Sequence, residues 1–293
     1  MRNLVTVALA GLLLCPGVVS AQQPLDLAKV IEALDKDGRV VLDQGKVLAL
    51  KYDYTADGDA VEAIAFRPVA EGQYPAVLLI PGFSRTARDY IPLGLRFAKE
   101  GFECVAVTQR GFGKSAGQPD FVGPKTLAAL EAGFRKFRTE PYVDGARMGV
   151  FGYSRGAMAA SLLAVRLKAT EVQAAVFAAG IYDFKKAYDD IKLPGIRANM
   201  EQEAGLSEAA MQARTSVTKM ADLACPVLIL HGDKDENAPV SQAYLLRDRL
   251  TALNKEFELK TFPDRDHDLG RQNLNDATLA FFKRKLMAAK PKE

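Results

Sequence analysis

Residues 147–158 read RMGVFGYSRGAM. The apolar run Met148–Phe151 ends in Gly152-Tyr153-Ser154-Arg155-Gly156, and GAMAASLLAVRLK (156–168) then has the composition of a buried helix. A G-x-S-x-G between a strand and a helix is the setting of a nucleophile elbow. The serine there sits in a tight turn that neighbouring backbone passes closely, so the flanking positions have no room for a Cβ. The following helix aims the positive end of its dipole at the hydroxyl. A serine hydroxyl is a weak nucleophile at neutral pH, so the rest of the chain has to supply a base.

Around this stretch the sequence has a regular rhythm. AVLLI (76–80), ECVAVT (103–108), MGVFGY (148–153), VQAAVFAAG (172–180), PVLILHG (226–232) and EFELKTF (256–262) read as strands. Between and after them, DYIPLGLRFAKEGF, TLAALEAGFRKFRTE, GAMAASLLAVRLK, SQAYLLRDRLTALN and NDATLAFFKRKLMAA read as amphipathic or buried helices. Nearly all-apolar strands alternating with helices predict a mostly parallel sheet covered on both faces. Ahead of it, LDLAKVIEALDKDG predicts a short helix stopped by Gly38. KVLALKYDYTADGDAVEAIAFRP predicts a hairpin turning at DGD and closed by Pro68. Residues Tyr182–Leu223 break the rhythm and are expected to form a helical, lid-like insertion above the strand ends.

Side chains that do chemistry gather at the C-terminal ends of parallel strands. Only two histidines are available. His267, in FPDRDHDLG after the last strand, can overhang Ser154 and is the expected base. His231, at the end of PVLILH, is expected to be structural and to bond the adjacent turn. Asp235 follows PVLILHG and is the expected orienting acid, with Asp233 as its rival. Asp266 and Asp268 flank His267 too closely to reach back to its ring. The backbone amides of Arg155 and of Phe83, in the PGF loop after AVLLI, are the expected oxyanion donors. Arg85, Arg88 and Arg155 belong to segments converging on the same place and could bind a substrate carboxylate. The alternative is that Arg88 sits on a solvated face and Arg155 pairs with Asp89 or Asp120.

With LLIPGF, QRGFGKSAG, GYSRGAM, PVLILHGDKDENAPVSQA and DRDHDLG on the page, the chain resembles an α/β-hydrolase. Over about its last three quarters it is similar to the catalytic domain of the prolyl oligopeptidase family and to the related dienelactone hydrolases and small esterases. The resemblance implies the order serine, acid, histidine, carried here by Ser154, Asp235 and His267. It also implies an acyl-enzyme route acting on small esters or, alternatively, on short peptides. Two features depart from the family: too little chain precedes the sheet for a β-propeller, and the oxyanion loop reads PGF where HGG or YGG is commoner.

Composition sets the remaining bounds. The 293 residues are 48% hydrophobic and 26% charged, enough to bury a core and unlike a disordered chain. With 39 basic and 36 acidic residues and no basic block, nucleic-acid binding is not expected. Two histidines without clustered ligands give no metal site, and no cofactor is expected. MRNLVTVALAGLLLCPGVVSAQQ has the layout of a signal peptide spanning residues 1–21, with cleavage leaving Gln22 first. Its apolar run is too short for a stable membrane span. A single hydrolase domain over residues 22–293, periplasmic or secreted, is the expectation, with Cys104 and Cys225 as buried free thiols.

Overall fold

The computed structural model describes residues 25–287, so the expected signal peptide lies outside the described residues. After helix α1 (Leu27–Asp37) come strands β1 (Arg39–Leu42), β2 (Val47–Lys51), β3 (Tyr54–Ala56), β4 (Asp59–Val61), β5 (Ala63–Pro68) and β6 (Tyr74–Ile80). Then α2 (Ile91–Lys99), β7 (Glu103–Val107), α3 (Pro124–Arg138), β8 (Val143–Tyr153), α4 (Arg155–Ala164) and β9 (Ala174–Ala178) alternate. Three short helices follow, α5 (Phe184–Asp190), α6 (Pro194–Ala204) and α7 (Glu208–Arg214), before β10 (Val227–Gly232), α8 (Ser241–Ala252), β11 (Phe257–Phe262) and α9 (Arg271–Phe282).

Among the described residues, nine strands form one sheet in the order β1-β2-β5-β7-β6-β8-β9-β10-β11. The six strands from β7 to β11 run parallel, and β1, β2 and β5 form an antiparallel edge. This is the mostly parallel sheet expected from the alternation of apolar strands and helices, and it fits the α/β-hydrolase fold that the resemblance implies. Side chains of a strand point alternately to its two faces. Ala76, Leu78 and Ile80 of β6 therefore join a core with α3, α4 and α8, whereas Val77 and Leu79 join a second core with α1, α2 and α9. After β6 the chain first adds β7 on one side and then β8 on the other. The crevice at the ends of β6 and β8 is thus the point where the winding reverses, the favoured place for a site in such sheets.

The sequence reading needs correction at the N-terminal edge. The hairpin is split: β2 pairs with β5 in the large sheet, while β3 and β4 form a separate two-stranded tip turning at Asp57-Gly58. The split occurs where side chains take over backbone partners. The Ala63 amide donates to Asp53 Oδ1 and the Glu62 amide to Ser115 Oγ. Strand β1 was not expected; Gly38, in a left-handed conformation at the end of α1, turns the chain directly into it. Among the described residues, Cys104 and Cys225 are buried free thiols, as expected.

Helix α2 lies on β5 with Gly94 at the contact, where a Cβ would stand 2.2 Å from Phe66 Cδ2. Gly94→Ala is expected to destabilise the protein by about 1–3 kcal/mol through overpacking. Thermal unfolding checks this; a melting temperature equal to wild type would mean that the helix is not seated on Phe66.

Candidate active site

Ser154 stands between β8 and α4 with φ 57° and ψ −124°, a conformation that L-residues avoid. Its amide donates to Ala178 O at 2.8 Å, which ties the turn to β9. A Cβ on Gly156 would lie 2.0 Å from Ile80 O, and one on Gly152 would lie 2.0 Å from Gly156 O. Only glycine lets β6, β8 and α4 approach this closely, which is the physical content of the motif.

Loops from three strand ends converge on this serine. Ser154 Oγ is 2.8 Å from His267 Nε2, and His267 Nδ1 is 2.8 Å from Asp235 Oδ2. A carboxylate only accepts, so Nδ1 carries the proton and Nε2 is left to accept from the serine hydroxyl. The other carboxylate oxygen, Asp235 Oδ1, accepts the Asn237 and Ala238 amides at 2.9 and 2.8 Å. Burial opposes ionisation of Asp235, but hydrogen bonds from His231 and His267 and from the Ala238 amide outweigh it and bring its pKa down to about 2.

His231 is fully buried, its Nε2 2.7 Å from Ala238 O and 3.4 Å from Asp235 Oδ2. It bonds the turn as expected, and it also braces the acid, which sequence did not suggest. The rival Asp233 is exposed, as are Asp266 and Asp268. A Cβ on Gly232 would meet Asp266 O at 2.3 Å, so the His267 loop lies directly across the end of β10. The Tyr153 hydroxyl donates to the His267 carbonyl. Sequence reasoning missed this brace, although Tyr153 lies within the motif.

Gly82 brings the loop after β6 against the serine, where its Cβ would sit 3.2 Å from Ser154 Cβ. Gln109 Nε2 holds that loop by donating to Pro81 O at 2.6 Å, and the Arg85 amide closes a turn onto Gly82 O. Phe83 is the first inner residue of this turn. The Arg155 amide is in the first turn of α4 and has no acceptor within the helix. Both amides expected as donors therefore belong to backbone next to Ser154.

Of the three arginines, Arg85 and Arg155 line the cavity beside Ser154 and Arg88 does not. Arg88 turns away from the cavity to a buried Glu62 at 2.8 Å and to Asp35 at 2.7 Å. Arg85 does line the cavity, but it is exposed and paired with Asp89 at 3.1 Å. The Arg155 guanidinium meets neither Asp89 nor Asp120; it is buried against Glu203 of α6 at 2.7 Å. Arg85 pairs locally, four residues along the chain, whereas Arg88 and Arg155 each found a carboxylate from a part of the chain whose proximity has no local sequence signal.

A cavity of about 1100 Å³ opens beside Ser154. Phe121, Met158, Ile181 and Ile191 line one side and belong to the α3–α4 core. Leu274 and Phe151 belong to the other core, and Arg85, Asp89, Glu236, Asp268 and Arg271 are charged residues of the same lining. His267 is carried by the loop leading into α9, which also gives Asp266 and Asp268 to the lining. Ile191 and Ile196 bring the α5–α7 segment to the cavity wall.

The profile of the prolyl oligopeptidase family, Peptidase_S9, matches residues 98–288. The uncharacterized peptidase YtmA of Bacillus subtilis (strain 168) is 30% identical over 212 residues, which are 70% of this chain and 80% of that one. Acetyl xylan esterase from Paenibacillus sp. R4 shares the fold with a TM-score of 0.72 at 16% identity, over 84% of this chain and 86% of that one. Pyrococcus horikoshii acylaminoacyl peptidase gives a TM-score of 0.72 at 17% identity, over 85% of this chain but 43% of its own length.

Asp235→Asn is expected to lower kcat by about 10⁴, because it reverses the tautomer that leaves Nε2 free to accept. Asp233→Asn is expected to change kcat less than about threefold. Equal losses would show that Asp235 does not orient the histidine. The same carboxylate bears on stability. Its folded pKa, about 2, lies below the ordinary 3.8, so it stabilises the fold above that value and the contribution vanishes as pH falls through 2. The unfolding free-energy gap between wild type and Asp235→Asn is therefore expected to narrow from about pH 4 downward. A gap independent of pH would contradict the assigned ionisation.

Proposed function

Because the chain belongs to the prolyl oligopeptidase family of serine hydrolases, we propose that it hydrolyses small, neutral carboxylic esters through an acyl-enzyme on Ser154. The observation that carries this reading is the unbroken chain Ser154 Oγ–His267 Nε2 and His267 Nδ1–Asp235 Oδ2, both at 2.8 Å. As Ser154 Oγ attacks the acyl carbon, His267 Nε2 takes its proton and the buried Asp235 carboxylate stabilises the imidazolium. The Phe83 and Arg155 amides donate to the oxyanion, each such donor being worth about 3 kcal/mol in the transition state. His267 then returns its proton to the departing alkoxide. Water enters by the same route, and the acyl group leaves Ser154 as a carboxylic acid.

In this geometry the leaving group faces His267 and the acyl group lies away from it, beside Phe121, Met158 and Ile181. An apolar acyl group suits that side. The carboxylates of α6 are already engaged there, Glu203 with Arg155 and Glu201 with the Tyr188 hydroxyl. A free substrate ammonium on the acyl side therefore finds the α6 carboxylates already committed, which leaves Glu236, Asp266 and Asp268 as carboxylates of the lining that an amino terminus would need. Cleavage of short peptides is the second reading, and YtmA is named a peptidase.

Wild type is expected to turn over nitrophenyl acetate and butyrate and to leave aminoacyl and prolyl nitroanilides at background. Faster turnover of a nitroanilide than of the esters would favour the peptidase reading. Ser154→Ala is expected to abolish ester hydrolysis and labelling by a fluorophosphonate probe while keeping the wild-type melting curve. Wild-type labelling of that variant would remove Ser154 from the reaction.

The proposal extends to export, supported by the signal-like layout of residues 1–21. Mass spectrometry of the protein from its native host is expected to find Gln22 at the mature N-terminus, outside the cytoplasm. An intact Met1 would contradict export by cleavage.

A further inference from the structure

We propose that Glu203 and Arg214, which do not touch the reacting atoms, set the acyl-chain selectivity of the site by clamping Phe121 against the Arg155 guanidinium. This rests on the acyl-transfer reading above and assigns its selectivity to a specific wall.

The wall starts from an unfavourable backbone. Phe121 and Val122 have φ of 43° and 57°. Two successive bulky residues, one of them β-branched, rarely occupy this left-handed region, so the surrounding structure must hold them there. The holding groups come from the segment between β9 and β10. Glu203 Oε2 accepts the Phe121 amide at 3.2 Å. Arg214 donates from Nη2 to Asp120 O at 2.6 Å and from Nε to Phe121 O at 3.0 Å. The Phe121 ring packs edge-on against Phe184 at the start of α5. Helices α5, α6 and α7 thus each grip the same short loop.

The grip reaches the nucleophile through the other contacts of Glu203. The same Oε2 accepts from Arg155 Nη1 at 2.7 Å, and Arg155 is the residue after Ser154. Its guanidinium carbon lies 4.0 Å from the Phe121 ring centroid and 4.4 Å from that of Phe83, within cation–π range of both. Both partners of the ion pair are largely buried, so it persists only while the carboxylate stays in place. Phe121 and Arg155 line the cavity on the acyl side with Met158 and Ile181. An acyl chain that outgrows this pocket meets the Phe121 ring. Releasing the clamp lets Phe121 and Val122 relax to ordinary φ values, which moves the ring and widens the pocket.

The test compares kcat/KM for p-nitrophenyl acetate, butyrate and octanoate in wild type, Phe121→Ala, Glu203→Gln and Arg214→Gln, with melting curves for each. The octanoate-to-acetate ratio is expected to rise about tenfold in Phe121→Ala and about threefold or more in Glu203→Gln and Arg214→Gln. A purely structural role would lower the melting temperature and reduce turnover of all three esters in proportion, leaving the ratio fixed. An unchanged ratio in Phe121→Ala overturns the proposal. So does a ratio that moves in Phe121→Ala but stays at the wild-type value in both clamp variants. The rates of Ser154 labelling by ethyl and octyl fluorophosphonates give the same ratio without ester turnover. A wild type that labels but leaves esters intact would therefore contradict the ester reading, while the labelling ratio still decides this one.

Discussion

The site depends on one steric constraint, the close approach of β6, β8 and α4 around Ser154. Carbonyl Ile80 O occupies the space that a Cβ on Gly156 would need, and Gly156 O occupies that of Gly152. This contact forces the serine into its left-handed conformation and lifts Oγ out of the sheet toward the loops beyond. It also starts α4 immediately after the nucleophile, so that the Arg155 amide is an unpaired first-turn donor beside Oγ. A methyl group at either glycine would separate the strand from the helix, and with it the nucleophile from its oxyanion donors.

The second requirement is electrostatic. A buried carboxylate is stable as an anion only when its oxygens are hydrogen-bonded. Asp235 meets this with two backbone amides on one oxygen and His267 on the other, with His231 alongside. The charge fixes the His267 tautomer, and the tautomer fixes the direction in which the serine proton can move. His231, Tyr153 and Gly232 then hold the acid and the base loop in register across the ends of β8 and β10.

What was legible in the sequence follows from these two constraints. The elbow is local, so its glycines and serine could be read from five residues. Acid and base follow strands, so alternation of apolar runs put Asp235 and His267 at the right sheet ends. Partner choice between distant segments left no such trace. Arg88 pairs with Asp35, 53 positions away, and Arg155 with Glu203, 48 positions away, so two of the three arginines expected to bind an anion are committed to carboxylates once the chain is folded. The split of the β2–β5 hairpin was hidden for a similar reason. It depends on Ser115 and Asp53 taking over backbone amides, not on the alternation of the strands themselves. Phe121 and Arg214 gave no signal either, since a left-handed phenylalanine held by an arginine from another helix has no sequence pattern.

The central claim is that Ser154 becomes covalently acylated during turnover. Rapid-quench mass spectrometry during hydrolysis of p-nitrophenyl butyrate tests it most directly, read together with the pre-steady-state release of nitrophenolate. The account predicts a burst of at most one nitrophenolate per protein chain and a butyryl adduct on the Ser154 peptide, both absent when His267 is replaced by alanine. Steady hydrolysis by wild type with the adduct on another residue, or the same Ser154 adduct and burst in His267→Ala, would contradict it.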